Sequence, residues 1–190
     1  MGKKIGLGCF GLGLVAVLAV AAFGVSAYNG LVSLDQAVQA QWAQVENVYQ
    51  RRADLVPNLV ETVKGYASHE KDTLERVVQA RSAAMSAQGP AAKAEAEGAL
   101  AGALKSLFAL SEAYPQLQAA GGFRDLQGAL SEIEEQVAQA RRYYNAVVRD
   151  FNTKTETFPS VLIARAFGFV KREFFEVAEG EKAVPKVKFD

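Results

Sequence analysis

One cysteine and one histidine occur among 190 residues. A single cysteine excludes an internal disulfide framework and any multi-cysteine metal site, and a single histidine excludes the usual multi-histidine centres. An excess of either charge is also missing, since 21 Lys and Arg stand against 21 Asp and Glu. A neutral chain has no electrostatic footprint for nucleic acid, so that class of partner drops out. Five prolines leave room for long uninterrupted elements. Strand-like alternation of useful length is absent throughout. What remains is a globular composition, 50% apolar and 22% charged, of a size for one domain with additions.

The first feature present is a run from Ile5 to Ala27 that contains no charged residue. At about 1.5 Å per residue it reaches roughly 35 Å, enough for a hydrocarbon core of about 30 Å, and the backbone of such a span must be helical. Val25-Ser26-Ala27 resembles a small-x-small cleavage site, but a secretory apolar region is usually about 7–15 residues long, which favours an uncleaved anchor. Cys9 stands before the bulk of the run rather than after it, so it reads as an anchor residue and not a lipidation site. Gly6-Leu7-Gly8-Cys9-Phe10-Gly11 matches the dinucleotide glycine pattern formally. No strand precedes it and the apolar run continues through it, so the glycines suit close helix packing in lipid instead. Lys3 and Lys4 precede the run, whereas residues 28–47 hold no Lys or Arg, which places the N-terminus in the cytoplasm and the body outside.

Four amphipathic stretches follow. The first carries Leu31, Leu34, Val38, Val45 and Val48 and continues directly from the anchor. The second is expected to begin near Asp54, as a cap, with Pro57 in its first turn, where a missing N–H costs nothing. Its apolar face runs Leu59, Val63, Tyr66, Leu74, Val77 and Ala84, and Gln88-Gly89-Pro90 ends it. The third runs from Ala91 to about Ala119, with Leu100, Leu104, Leu107 and Phe108 on one face. Pro115 predicts a kink or an early end, and Gly121-Gly122 closes the stretch. The fourth carries Phe123, Leu126, Leu130, Ile133, Val137, Ala140, Tyr144, Val147 and Phe151 at alternating steps of three and four, the seam of a left-handed bundle. The expected fold is all-α: an N-terminal transmembrane helix followed by an antiparallel up-and-down four-helix bundle. The chain divides into a basic N-terminus (1–4), an anchor (5–27), a helical body (28–157), an aromatic and basic segment (158–175) and a tail (176–190) expected to be mobile.

Polar residues interrupt the seam. Glu70 and Arg81 fall where the second stretch calls for apolar side chains, and Arg141 sits beside the fourth seam. Charges there are costly unless paired. They either form ion pairs that fix register or line a buried polar site that binds a ligand.

Several blocks carry a resemblance: Tyr28-Asn29-Gly30-Leu31-Val32, Arg51-Arg52-Ala53-Asp54-Leu55-Val56-Pro57-Asn58-Leu59-Val60, and Lys64-Gly65-Tyr66-Ala67-Ser68-His69-Glu70. Ala80-Arg81, Glu112-Ala113-Tyr114-Pro115-Gln116-Leu117, Ala140-Arg141-Arg142-Tyr143-Tyr144-Asn145, Phe151-Asn152 and Phe158-Pro159 extend it. In this order, from residue 28 to about 170, the chain resembles the LemA family. The resemblance implies a bacterial single-pass membrane protein with a soluble four-helix bundle. It implies no reaction, because the family's molecular function is not established.

Catalytic constellations are missing. His69-Glu70 would need a second histidine at position 73 to open a zinc-protease motif, and that residue is Thr73. No G-x-S-x-G elbow or Walker loop occurs, and Glu132, Glu134 and Glu135 read as a solvated helix face. No enzyme, cofactor or metal is expected. The segment after Phe158 is different in kind. Phe158, Phe167 and Phe169, with Arg165, Lys171 and Arg172 among them, are too short and too charged a stretch to span a bilayer. They suit docking at a membrane interface or a partner, or capping of the open bundle end.

Two functions follow. One is a membrane-anchored interaction module for a membrane or envelope protein, with Glu70, Glu112, Arg81 and Arg141 fixing its polar interior and self-association compatible with it. The alternative is a ligand-sensing bundle that signals through a partner. Antiparallel first and fourth helices would put Tyr28-Asn29 and Tyr144-Asn145 at neighbouring levels.

Overall fold

The computed structural model describes residues 2–176, and of residues 2–11 the backbone alone. The expectations for Lys3, Lys4, Cys9 and the early glycines, and for the tail beyond Glu176, lie outside what is described. The described chain is all-α: α1 (Gly2–Tyr66), α2 (Lys71–Ser86), α3 (Pro90–Ser111), α4 (Pro115–Ala119), α5 (Gly121–Glu156) and α6 (Ser160–Ala166). The division into elements differs from the four expected stretches. α1 runs unbroken through Asp54 and Pro57, where a second helix was expected to start. Asp54 is an exposed mid-helix residue that accepts a hydrogen bond from Gln50 Nε2 at 2.7 Å.

A proline inside a helix deprives the carbonyl four residues earlier of its donor. For Pro57 that carbonyl is Ala53 O, and the Nε–H of Arg81 on α2 donates to it at 2.7 Å. The helix therefore continues past its proline because a second helix supplies the missing bond. The chain turns only at residues 67–70, where Ala67 N–H still donates to Val63 O at 2.8 Å and α2 then begins from Glu70.

The other boundaries follow local chemistry. Gly89 takes φ +80°, a conformation that side chains other than glycine rarely adopt, and Pro90 opens α3 at the position where it needs no N–H. Tyr114 is extended (φ −124°, ψ 80°), as the residue before a proline must be, so α3 stops and Pro115 starts α4. Gly121-Gly122 opens α5 rather than closing the third stretch, because the extended Ala120 ends α4 first. Of the α5 seam, Phe123, Leu130, Ile133, Val137, Tyr144 and Phe151 are buried, Leu126 and Ala140 are half-buried, and Val148, not Val147, lies fully inside.

The fold separates into two compact units. The first comprises the described residues up to Ala40 with Ala146–Arg172. Leu31, Val38, Val148, Phe151 and Ala164 are its buried apolar residues, with Ala27. The α1 segment from Leu12 is long and apolar enough to cross a membrane, and Leu12, Val15, Val20 and Val25 stand exposed along it. The second unit comprises Gln41–Asn145 with the residues from Glu173 on. Its core joins Val56, Leu59 and Val63 of α1 to Leu74 and Val77 of α2, Leu100, Leu104 and Leu107 of α3, Leu117 of α4, and Phe123 and Leu130 of α5.

Candidate functional site

In the second unit the apolar stripe of α1, with Val45, Tyr49, Val56 and Leu59 at three-four spacing, contains Arg52. Arg52 is 0% exposed. Its Nη2 donates to Glu97 Oε2 on α3 and, at 3.2 Å, to the Glu97 carbonyl, while Nη1 donates to Glu134 on α5. Lys93 stands 3.8 Å from the other Glu97 oxygen and donates to Ala84 O at 2.7 Å, near the end of α2. Arg52 Nε is buried with no hydrogen-bond partner among the described residues. Breaking such a buried pair by removing one member costs about 3–5 kcal/mol, because the other charge is left uncompensated.

Tyr49, one turn before Arg52, lies among three cations: Arg52 (5.2 Å), Arg141 (5.6 Å) and Lys93 (5.9 Å) from its ring centroid. The Arg141 Nε–H donates to the Tyr49 hydroxyl at 2.7 Å. Burial nevertheless pushes the phenol up to about 12, against the pull of Arg141. Burial opposes the Arg52 charge, but Glu97 and Glu134 outweigh it and hold the guanidinium above its ordinary value. Neither group exchanges a proton near neutral pH, so the cluster is a fixed ion network rather than an acid–base pair.

The chain from Glu173 to Phe175 is strapped onto the same unit. Asn145 reads the Phe175 backbone in both directions: its Nδ2–H donates to Phe175 O (3.0 Å), and its Oδ1 accepts from Phe175 N–H (2.8 Å). The Tyr144 hydroxyl donates to Glu173 O at 2.9 Å. The Phe175 ring, 3% exposed, stacks on Tyr49 (6.1 Å), lies under the Arg141 guanidinium (4.7 Å) and approaches Trp42 (6.5 Å). Trp42 in turn packs on Tyr144 at 5.4 Å.

The first unit repeats the device, with Asn152 donating to Arg172 O and accepting from Arg172 N–H, both at 2.9 Å. Gly168, at φ +74°, ends α6, and Phe169 N–H bonds back to Ala164 O, a turn that returns the chain. Phe169 then lies against Tyr28 (5.9 Å) and Phe151 (6.4 Å). Arg172 pairs with Asp35 at 2.6 Å and Lys171 with Glu156 at 2.6 Å. Phe169, Lys171 and Arg172, expected as docking residues, are thus engaged within their own unit, because the Gly168 turn folds them back. Phe158, Phe167 and Arg165 remain exposed, Phe167 with one side 4.8 Å from Tyr28.

The remaining expected residues divide. Glu70 accepts a 3.0 Å hydrogen bond from the Tyr114 hydroxyl, which raises the tyrosine pKa, so these two are brought together. Glu112 is exposed at the end of α3 and has no place in the polar interior, since the helix stops there before Pro115. Asn29 and Asn58 are exposed. Tyr28 and Tyr144 belong to different units and have different ring partners, Phe167 and Trp42. Sequence reasoning did not single out Arg52, Glu97, Lys93, Tyr49, Trp42 or Phe175 as site residues. Among the described residues no group of three or more His, Cys, Asp or Glu side chains could hold a metal.

An all-α chain with an apolar N-terminal helix, a buried ion network and backbone-clamped straps defines a class of helical protein. The LemA family model matches residues 41–189, and the chain belongs to that family. Magnetosome protein MamQ 2 of Paramagnetospirillum magneticum is 26% identical over 204 residues, covering 92% of this chain and 75% of that protein. Protein LemA of Metamycoplasma hominis is 24% identical over 158 residues, covering 81% of this chain and 71% of its own.

Proposed function

We propose that the chain is a membrane-anchored interaction module. In this reading α1 holds it in a bilayer and an exposed apolar face of the first unit docks a membrane or envelope protein. The observation that carries the reading is the surface left by α6 and the turn after it: Phe158 (75% exposed), Leu162, Phe167 (62%) and Val170 all face outward. Large apolar side chains left exposed within one short segment commonly mark an interaction site. Arg165 stands exposed on the same short helix and would meet an acidic or phosphate-bearing surface. The N-terminus is read as cytoplasmic and the body as extracytoplasmic, from Lys3 and Lys4 against the absence of Lys and Arg at 28–47.

Ligand sensing draws less support, because Glu70, Arg81 and Arg141 are each engaged by Tyr114, Ala53 O and Tyr49. The test is hydrogen exchange of the full chain in native membranes and after purification in detergent. Docking predicts that amides of 158–170 lose protection on purification while α3 is unchanged. Equal exchange of 158–170 in both states would remove the basis for a docked partner.

A further inference from the structure

A groove of about 490 Å³ lies entirely within the first unit, between the end of the exposed apolar run of α1 and the C-terminal part of α5. Phe23 and Ser26 line one side and Asp150, Thr153, Lys154 and Thr157 the other. Asp150 and Lys154 are four residues apart on one helix face, a spacing at which such residues normally pair. Here they do not: Asp150 bonds Arg149 at 3.1 Å through Oδ1, and among the described residues Lys154 has no carboxylate partner. The Lys154 ammonium lies over α1, 3.5 Å from where a Cβ on Gly30 would be, an ordinary contact distance.

We propose that this groove binds the headgroup of a zwitterionic phospholipid. Its phosphate meets Lys154 and the hydroxyls of Ser26 and Thr153, and its ammonium meets the free oxygen of Asp150. The separated opposite charges match an ammonium and a phosphate carried on one headgroup, where an anionic headgroup would meet Asp150 unfavourably. Phe23 continues into the exposed apolar face of α1, along which the acyl chains lie. The depth is also right, because the run is apolar up to Val25 and Ser26 is the first polar residue after it. The inference rests on the reading that α1 lies in a bilayer.

The experiment is native mass spectrometry of the full chain, released from nanodiscs of equal phosphatidylethanolamine and phosphatidylglycerol, with flotation after alkaline extraction run on every variant. The wild type is expected to retain one phosphatidylethanolamine in preference to phosphatidylglycerol. Lys154→Met is expected to lower the retained fraction about tenfold, which corresponds to roughly 1.4 kcal/mol. Asp150→Asn, an exposed change that leaves the fold alone, is expected to retain lipid but lose the preference between headgroups. Equal retention by all three chains, or no lipid on the wild type, overturns the site while flotation still upholds the anchor. A wild type that is stripped from membranes by alkali overturns both.

Discussion

Pro57 and Arg81 give the most demanding test of the fold. The proline leaves Ala53 O without a helical donor, and Arg81 Nε supplies one at 2.7 Å. Replacing Arg81 with Met strands the carbonyl of the buried Ala53 and removes a charged donor, a loss of about 1.5–3 kcal/mol. Pro57→Ala restores the backbone N–H, so the same carbonyl regains its helical bond from within α1 and a helix-breaking ring is removed. In that background the Arg81→Met loss should fall by at least about 1 kcal/mol, because groups sharing one partner are coupled. The assay is a double-mutant cycle by urea unfolding of the detergent-solubilised chain, followed by far-UV circular dichroism. An Arg81→Met penalty that is the same in the wild-type and Pro57→Ala backgrounds would refute the explanation of how α1 passes its proline.

Other outcomes follow from the second unit and from the α6 turn. Arg52→Met should destabilise by about 3–5 kcal/mol in urea unfolding, since Glu97 is left buried with only Lys93, at 3.8 Å, to balance it. Tyr49 keeps its proton in the fold to about pH 12, whereas the unfolded chain releases it near 10.0. Its contribution is therefore complete below pH 10 and lost as the pH climbs towards 12, and a Tyr49→Phe chain should lose less stability across that window. Asn145→Ala removes both bonds to the Phe175 backbone, and emission from the single tryptophan, Trp42, should shift to the red as the ring leaves it. Gly168→Val places a β-branched residue at φ +74° and should lower the melting temperature, with faster proteolysis after Phe167.

Much of this architecture was legible where local chemistry decides it. Gly89-Pro90 and Tyr114-Pro115 mark helix boundaries because a positive φ and a pre-proline restriction act on their own residues. The α1–α2 boundary was not, because Asp54 and Pro57 look locally like a helix start and the group that lets the helix continue is Arg81 on another element. That misplaced boundary also cut the α1 stripe just after Arg52, hiding a charge at a buried position. Glu97 could have been found by stepping back three residues from Leu100 on the same face of α3. The Asn145 and Asn152 clamps address backbone atoms, so the segments they hold need carry no matching side-chain signal. Of the aromatic segment, composition showed the density of Phe, Arg and Lys, but only the turn at Gly168 separates Phe169, packed on Phe151, from Phe158 and Phe167, left outside.

The exposed aromatic segment, and not the polar interior, is proposed as the working surface. It is tested most directly by photo-crosslinking in cells from a reactive residue placed at Phe167, with mass spectrometry of the adducts and Leu162→Glu as the control. One recurrent membrane or envelope protein is expected among the adducts, lost when Leu162 is charged. Adducts confined to lipid or to the chain itself, unchanged by that substitution, would contradict it.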